Sequence, residues 1–229
     1  MIITIDGPAG SGKSAAALKI AGQLGYPHLD TGAMYRAVAL DLYEQGLLDL
    51  PEEIANRCRL LSLDFDWSQP NAPILLNGKN VAEAIRTPHI TAITWQAADN
   101  PWVREELVKR QRIIGAKCVE IRGGMVTEGR DQGTIVFPKA DFKFYLDAHP
   151  EVRAQRRISQ LADKGISADI HDVLEQIVRR DMRDQGRAHG PLARPADAII
   201  LDTTDVSLDD VVEKMVSLIH ERTVSGSRH

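Results

Sequence analysis

The chain has 229 residues and 25.3 kDa, with 43% hydrophobic and 26% charged residues, a composition that suits one well-buried α/β domain with room for a small insert. A net charge of −4 excludes a general polyanion-binding surface. No apolar run reaches the about 20 residues of a membrane span, and the first residues carry no signal-peptide pattern, so a cytoplasmic protein without membrane or nucleic-acid polymer partners is expected.

Met1–Ile5 reads as a buried parallel strand ending at Asp6, which is taken as structural. Gly7-Pro8-Ala9-Gly10-Ser11-Gly12-Lys13-Ser14 follows and fits G-x-x-x-x-G-K-[ST] between a strand and a helix. Polyphosphate binding requires several backbone N–H groups to converge, which needs the close approach and positive φ that glycine tolerates. Lys13 supplies a cation for the β- and γ-phosphates, and Ser14 a hydroxyl ligand for Mg²⁺. The helix that follows adds its free N–H groups and dipole, with Ala17, Ile20, Ala21 and Leu24 on its apolar side and Gly25 as its stop. A nucleotide phosphate site with Mg²⁺ is expected here, and the motif alone does not separate kinases from GTPases, ATPases or switches.

His28-Leu29-Asp30 is a second strand, and Thr31-Gly32 opens a helix through Tyr35 and Arg36 to Gly46. Beyond Leu60 the pattern changes. Leu63, Phe65 and Trp67 alternate with polar residues, and Pro73–Leu76, Asn77-Gly78 and Lys79–Val81 read as a hairpin on a type I′ turn. A small antiparallel unit, residues 63–101, is therefore expected as an insertion. Trp102–Ile114 returns to helix, and Met125–Thr127 is a strand leading to Glu128-Gly129-Arg130-Asp131. Glu128 is read either as a group acting on the metal through water or as a strand-end acid held by a backbone N–H. Phe142–Leu146 and Ala198–Leu201 are strands, Pro150 starts a helix, and Ile170, Val173, Leu174 and Ile177 mark another that runs into an arginine-rich segment. Ser207 and Asp210 form a capping box for the last helix, and Val224–His229 reads as a frayed tail.

Alternating strands and helices imply a three-layer α/β fold, a central parallel sheet with helices on both faces and ligands at the carboxyl ends of the strands. Arg36, Arg130, Arg180 and Arg187 form a second set of anion binders apart from the phosphate loop. A nucleoside triphosphate cradle with separate arginines points to two phosphorylated ligands held end to end for phosphoryl transfer. The alternatives are a kinase for another acceptor such as UMP or AMP, or an ATPase or switch without an acceptor. Cys58 and Cys118 are isolated and expected as buried, inert thiols, and none of the seven histidines has ligand spacing. Trp67, Trp95 and Trp102 are expected in core or insert packing.

Asp6–Ser14, Asp30–Arg36, Ile85-Arg86-Thr87-Pro88, Glu128–Thr134 and Arg180-Asp181-x-Arg183-Asp184-x-x-Arg187 together resemble the bacterial cytidylate (CMP/dCMP) kinases over nearly the whole chain. The resemblance implies a single kinase domain over residues 1–229, with the nucleoside-monophosphate-binding insert at 63–101 and a lid at 155–190. It implies that Thr31 meets the acceptor's sugar, that Tyr35 and Arg36 line its site, and that Arg36, Arg130 and Arg187 hold its phosphate. Arg104 and Asp131 would read cytosine, Asp184 the ribose, and Arg180 would stabilise the transferring phosphoryl group. The partners implied are CMP, dCMP and ATP, with the chain acting as a monomer. Arg179 and Arg183 are read either as functional or as surface partners of Asp181 and Asp184. Trp95 falls where the family carries a small Ser against the base, so it is expected to stack on cytosine or to point into the insert.

Overall fold

The computed structural model describes residues 1–68, 72–163 and 165–226. Strand β1 (Ile2–Asp6) leads through the phosphate loop into α1 (Lys13–Leu24), then β2 (His28–Asp30) and α2 (Thr31–Glu44). Next come α3 (Pro51–Leu60) and three short strands, β3 (Leu63–Phe65), β4 (Ile74–Leu76) and β5 (Lys79–Asn80). A 3₁₀ turn (Ala84–Arg86) precedes α4 (Pro88–Asp99) and α5 (Pro101–Arg122). Strand β6 (Met125–Gly129), a π-helical turn (Gln132–Val136), β7 (Phe142–Asp147), α6 (Pro150–Ala162), α7 (Ile170–Gly186), β8 (Ile199–Asp202) and α8 (Leu208–Gly226) complete the described chain. The tail expected as frayed lies partly outside it, because residues 227–229 are not among the described ones.

Strands β2-β6-β1-β7-β8 form one sheet in that order, with every pairing parallel. Its strands are apolar because both faces are covered. Ile3, Ile5, Val126, Phe144 and Leu146 pack with Ile20 of α1 and Val212 and Met215 of α8 on one face. Leu29 and Met125 join Met34, Val38 and Leu42 of α2 and Leu107 of α5 on the other. Each such side chain withdrawn from water stabilises by roughly 1.5–3 kcal/mol before conformational entropy is counted. The three-layer expectation is met.

The second sheet, β3-β4-β5, is antiparallel and lies within the stretch expected as an insertion. Its hairpin turns on Asn77 and Gly78 with φ of 49° and 78°, the positive pair that a type I′ turn requires. Phe65, Ile74 and Leu76 are buried against the α2–α5 side, so this sheet extends one core rather than building its own. Helix α4 occupies the rest of the stretch and packs on α2 and α5. By contrast, α6 and α7 carry a small separate cluster of Ala154, Val173 and Ile177.

Three expectations are corrected here. Trp95 and Trp102 are 43% and 51% exposed, so neither packs inside the insert; Trp67 alone of the three tryptophans lies against the core, with its ring 5.3 Å from that of Phe65. The Arg183 guanidinium lies over the Trp95 ring. Arg179 pairs with Glu175 at 2.6 Å along its own helix, not with the neighbouring aspartates. Those are taken by other cations: Arg153 holds Asp181 at 2.6 Å, and Arg130 and Arg187 hold Asp184. Cys58 and Cys118 are both buried and free, with burial pushing the Cys58 thiol up to about 11.

Candidate active site

Register places the site. Asp6 lies beside Gly129 and Asp30 beside Glu128, so three strands end at one level and release their loops into one space. That space is a cleft of about 620 Å³. At one end it is lined by Ala9, Gly10, Lys13 and Ser14 of the phosphate loop. Thr31, Tyr35, Arg36, Arg104, Arg130 and Asp131 line the remainder, with Arg180, Asp184 and Arg187 contributed by α7. Gly7, Pro8, Ser11 and Gly12 are not on its wall. They shape the loop beneath it: at Gly7 (φ 151°) a Cβ would stand 2.1 Å from the Leu146 carbonyl oxygen, so a side chain would push the loop off β7.

At the phosphate-loop end, the first turn of α1 begins at Lys13, where helical N–H groups have no intrahelical acceptor. The Lys13 ammonium is buried and donates to the Pro8 carbonyl at 3.0 Å. Burial, then the charges of Arg130 and Arg180, pull its pKa down from 10.5 to about 7 despite Glu128 nearby. The Ser14 hydroxyl donates to Glu128 Oε1 at 2.6 Å, so the hydrogen-bond partner of this strand-end carboxylate is a side chain of the phosphate loop. Asp6 is fully buried and accepts from the Gln132 and Gly133 N–H groups at 2.9 and 2.8 Å. It thus ties the strand before the phosphate loop to the turn after Arg130-Asp131, the structural part expected of it. Burial raises its pKa to about 7, against those two hydrogen bonds.

In the middle of the cleft, Arg130 Nε donates to Asp184 Oδ2 at 2.8 Å and Arg187 reaches Asp184 Oδ1 at 2.7 Å. Burial alone would raise the Asp184 pKa; Arg130, Arg180 and Arg187 outweigh it and hold the carboxyl ionised. Arg180 forms no ion pair among the described residues, and burial together with Arg130 lowers its pKa to about 10. Thr31 donates its proton to the Glu128 carbonyl at 2.7 Å, leaving the hydroxyl oxygen as an acceptor.

The far end is closed by Arg104 and Asp131, both buried and ion-paired to each other. Arg104 also donates to the Ala98 carbonyl at 3.0 Å and lies over the Tyr35 ring, 5.3 Å from its centroid. Burial raises the Asp131 pKa even with Arg104 beside it. Among the described residues the buried Tyr35 hydroxyl has no partner at hydrogen-bond geometry, and burial raises its pKa against the nearby Arg104 and Gln111.

Four contributors were not assigned from sequence. Asp30 caps α2 by accepting from the Ala33 N–H at 2.9 Å and pairs with Arg36 and Arg86 at 3.0 and 3.5 Å. Arg86 was visible in the Ile85–Pro88 motif. Gly190 (φ 62°) lies so close over the Arg104–Asp131 end that a Cβ there would stand 2.1 Å from Arg104 Nη2. Thr94 lines the cleft where Trp95 was expected; Trp95 is not on the wall, and its ring instead carries the Arg183 guanidinium at 4.8 Å. Helical geometry explains the exchange, since Thr94 and Ala98 share a face one turn apart and the next residue is turned by about 100°. Among the described residues no cluster of three or more His, Cys, Asp or Glu could hold a metal, and no helix is long and apolar enough to cross a membrane.

The cytidylate kinase family model matches residues 3–221. Cytidylate kinase of Citrifermentans bemidjiense is 40% identical over 229 residues, covering 100% of this chain and 96% of that one. The enzymes of the same name from Colwellia psychrerythraea and Caldanaerobacter subterraneus subsp. tengcongensis are each 42% identical, over 94% and 96% of this chain and 94% and 95% of theirs. A crystal structure of an uncharacterized protein from Eubacterium ventriosum, 14% identical, aligns over 96% of this chain and 98% of that chain with a TM-score of 0.52, a likeness of fold. With the family model matching nearly the whole length and relatives at 40–42% identity over almost all of both chains, the chain belongs to the cytidylate kinase family.

Proposed function

We propose that this chain transfers the γ-phosphoryl group of ATP to CMP or dCMP, giving ADP and CDP or dCDP. One observation carries the reading: a single cleft holds the phosphate loop at one end and the buried Arg104–Asp131 pair at the other, with Arg130 and Arg180 between them. Transfer between two phosphates needs in-line positioning and cancellation of charge on the equatorial oxygens, and little covalent chemistry from the protein.

In this reading Gly7–Ser14 cradle the ATP phosphates and Lys13 neutralises the β- and γ-groups. The residues present fit a magnesium ion: the Ser14 oxygen would hold it, and the buried Glu128 carboxylate that accepts the Ser14 proton would orient that oxygen. Bound there, the ion would neutralise phosphate charge. Arg36, Arg130 and Arg187 hold the acceptor phosphate, Thr31 and Asp184 its sugar, with Tyr35 on the wall. Arg180, which forms no ion pair among the described residues, meets the transferring group. Arg104 donates to the N3 and O2 acceptors of cytosine, and Asp131 accepts from its amine. Thr94 adds a further acceptor, because its proton is committed to the Ile90 carbonyl at 2.6 Å. Uracil would present a carbonyl where these groups require a donor, a mismatch of about 1–3 kcal/mol for each unpaired buried group.

Residues 63–101 and 155–190 act as the acceptor insert and the lid, closing over both nucleotides to exclude water. In this reading the chain acts as a monomer in the cytoplasm. Steady-state assays of ATP–Mg²⁺ with CMP, dCMP, UMP and AMP test the proposal. Faster turnover of UMP or AMP than CMP at matched concentrations would leave only a broader kinase, and ATP hydrolysis unaffected by any acceptor would favour an ATPase.

A further inference from the structure

Trp95 is an anomaly if it is neither core nor cleft wall: a large aromatic left 43% exposed on α4. Its one described partner is Arg183 of α7, with the guanidinium carbon 4.8 Å from the ring centroid. One turn further along each helix a second contact repeats the first. Asp99 lies four residues after Trp95, Arg187 lies four after Arg183, and Arg187 Nε donates to Asp99 Oδ1 at 2.7 Å. Two rungs with the same one-turn spacing on both helices fix their register and their relative rotation, since residues four apart share a helix face.

We propose that Trp95 and Arg183 form the outer rung of a clasp that sets the rotation of α7, and are positioning residues for phosphoryl transfer. The proposal rests on the reading above, in which Arg180 meets the transferring group. Arg180 precedes Arg183 by three residues, and so sits on the same stripe as both rungs. Arg187 is held by Asp99 and Asp184, but Arg180 forms no ion pair among the described residues, so its direction depends on the helix that carries it. An aromatic face suits the outer rung. It holds a guanidinium without spending a carboxylate, so the positive potential over the cleft is kept, whereas an acid at position 95 would cancel part of it.

A double-mutant cycle on the full chain tests this, with kcat and both KM values measured for ATP–Mg²⁺ and CMP and with hydrogen exchange of the α7 amides measured in the ligand-free protein. Exposed cation–π contacts of this kind correspond to about a two- to fivefold effect. Trp95→Ala and Arg183→Ala should each lower kcat by that factor with little change in KM for ATP. The double variant should be no worse than the poorer single one, Trp95→Phe should recover most of the loss, and exchange across 180–186 should quicken in Trp95→Ala. Losses that multiply in the double variant, or unchanged kcat and unchanged exchange in Trp95→Ala, would overturn the clasp. If the unmutated chain does not phosphorylate CMP, the functional reading fails separately. Exchange then decides the clasp: coupled quickening in both single variants upholds it, and none removes it.

Discussion

Lys13 gives a prediction that needs no mutation, only a change of pH. Its ammonium is buried beside Arg130 and Arg180, and its pKa is drawn from 10.5 down to about 7. A gap of about 3.5 units corresponds to roughly 5 kcal/mol of disfavoured charge at that site. A bound polyphosphate supplies the missing anion and restores the ammonium, so nucleotide binding should take up a proton. With a pKa near 7 the uptake is about 0.1 proton at pH 6, about 0.5 at pH 7 and about 0.9 at pH 8. Calorimetric titration with ATP–Mg²⁺ at pH 8, in two buffers of different ionisation enthalpy and without acceptor, reads this number directly. Lys13→Met should abolish it. Linkage adds a second, opposite slope. The unfolded chain holds more protons than the folded one between pH 7 and 10.5, so ligand-free stability should rise with pH through that window while nucleotide affinity falls. No net uptake at pH 8 in the unmutated chain, or equal uptake in Lys13→Met, would refute the reasoning.

Three further outcomes are expected. Arg180→Ala should lower kcat by about 10²–10³, with KM for either nucleotide little changed, as for loss of a donor used in the transition state; a raised KM at constant kcat would make Arg180 a plain binder. Asp131→Ala leaves Arg104 buried and uncompensated, so denaturant titration should show a loss of about 3–5 kcal/mol alongside loss of CMP preference. Thr94→Val should narrow the CMP/UMP ratio in kcat/KM by roughly two- to tenfold, with Thr94→Ser restoring it, because it removes one neutral hydrogen-bond acceptor; an unchanged ratio would make Thr94 inert wall.

The elements legible in the sequence were those whose cause is local. Gly7–Ser14 declares a phosphate loop because backbone geometry there needs glycines at fixed spacing, and Asn77-Gly78 declares its turn for the same reason. Ser207 caps α8 by accepting from the Asp210 N–H at 3.2 Å, three residues away as read. What failed to show depended on partners far along the chain. Helix α5 was expected to end at Ile114, before Gly115, yet it runs through to Arg122. Gly115 is there for space, since a Cβ would stand 2.7 Å from the Phe137 ring, and no local rule distinguishes that use from a helix stop. The polar, weakly patterned α3 and the π-helical turn at 132–136 went unread for similar reasons. Site residues were found by motif, but most of their pairings were not: Arg187 meets Asp99 across α7 and α4, 88 residues apart, and Arg130 meets Asp184 54 residues away, separations that no local pattern encodes.

Those pairings bear on how the cleft divides its binding energy. Arg36 already rests on Asp30, Arg130 and Arg187 on Asp184, and Arg104 on Asp131. An acceptor phosphate arriving among them exchanges one anionic partner for another, so its net gain is smaller than the count of arginines suggests. The carboxylates instead keep the cations aimed before substrate arrives, which removes the entropic cost of ordering them later. Arg180 differs. It is buried, its charge is disfavoured by Arg130, and no acid pairs with it among the described residues. A group in that condition gains most from new negative charge at close range, and the equatorial oxygens of the transferring phosphoryl group provide it as the reaction proceeds. In the proposed reaction the pre-paired arginines would therefore serve binding and orientation, while Arg180 would hold its interaction for the transition state, the only state in which added stabilisation raises the rate.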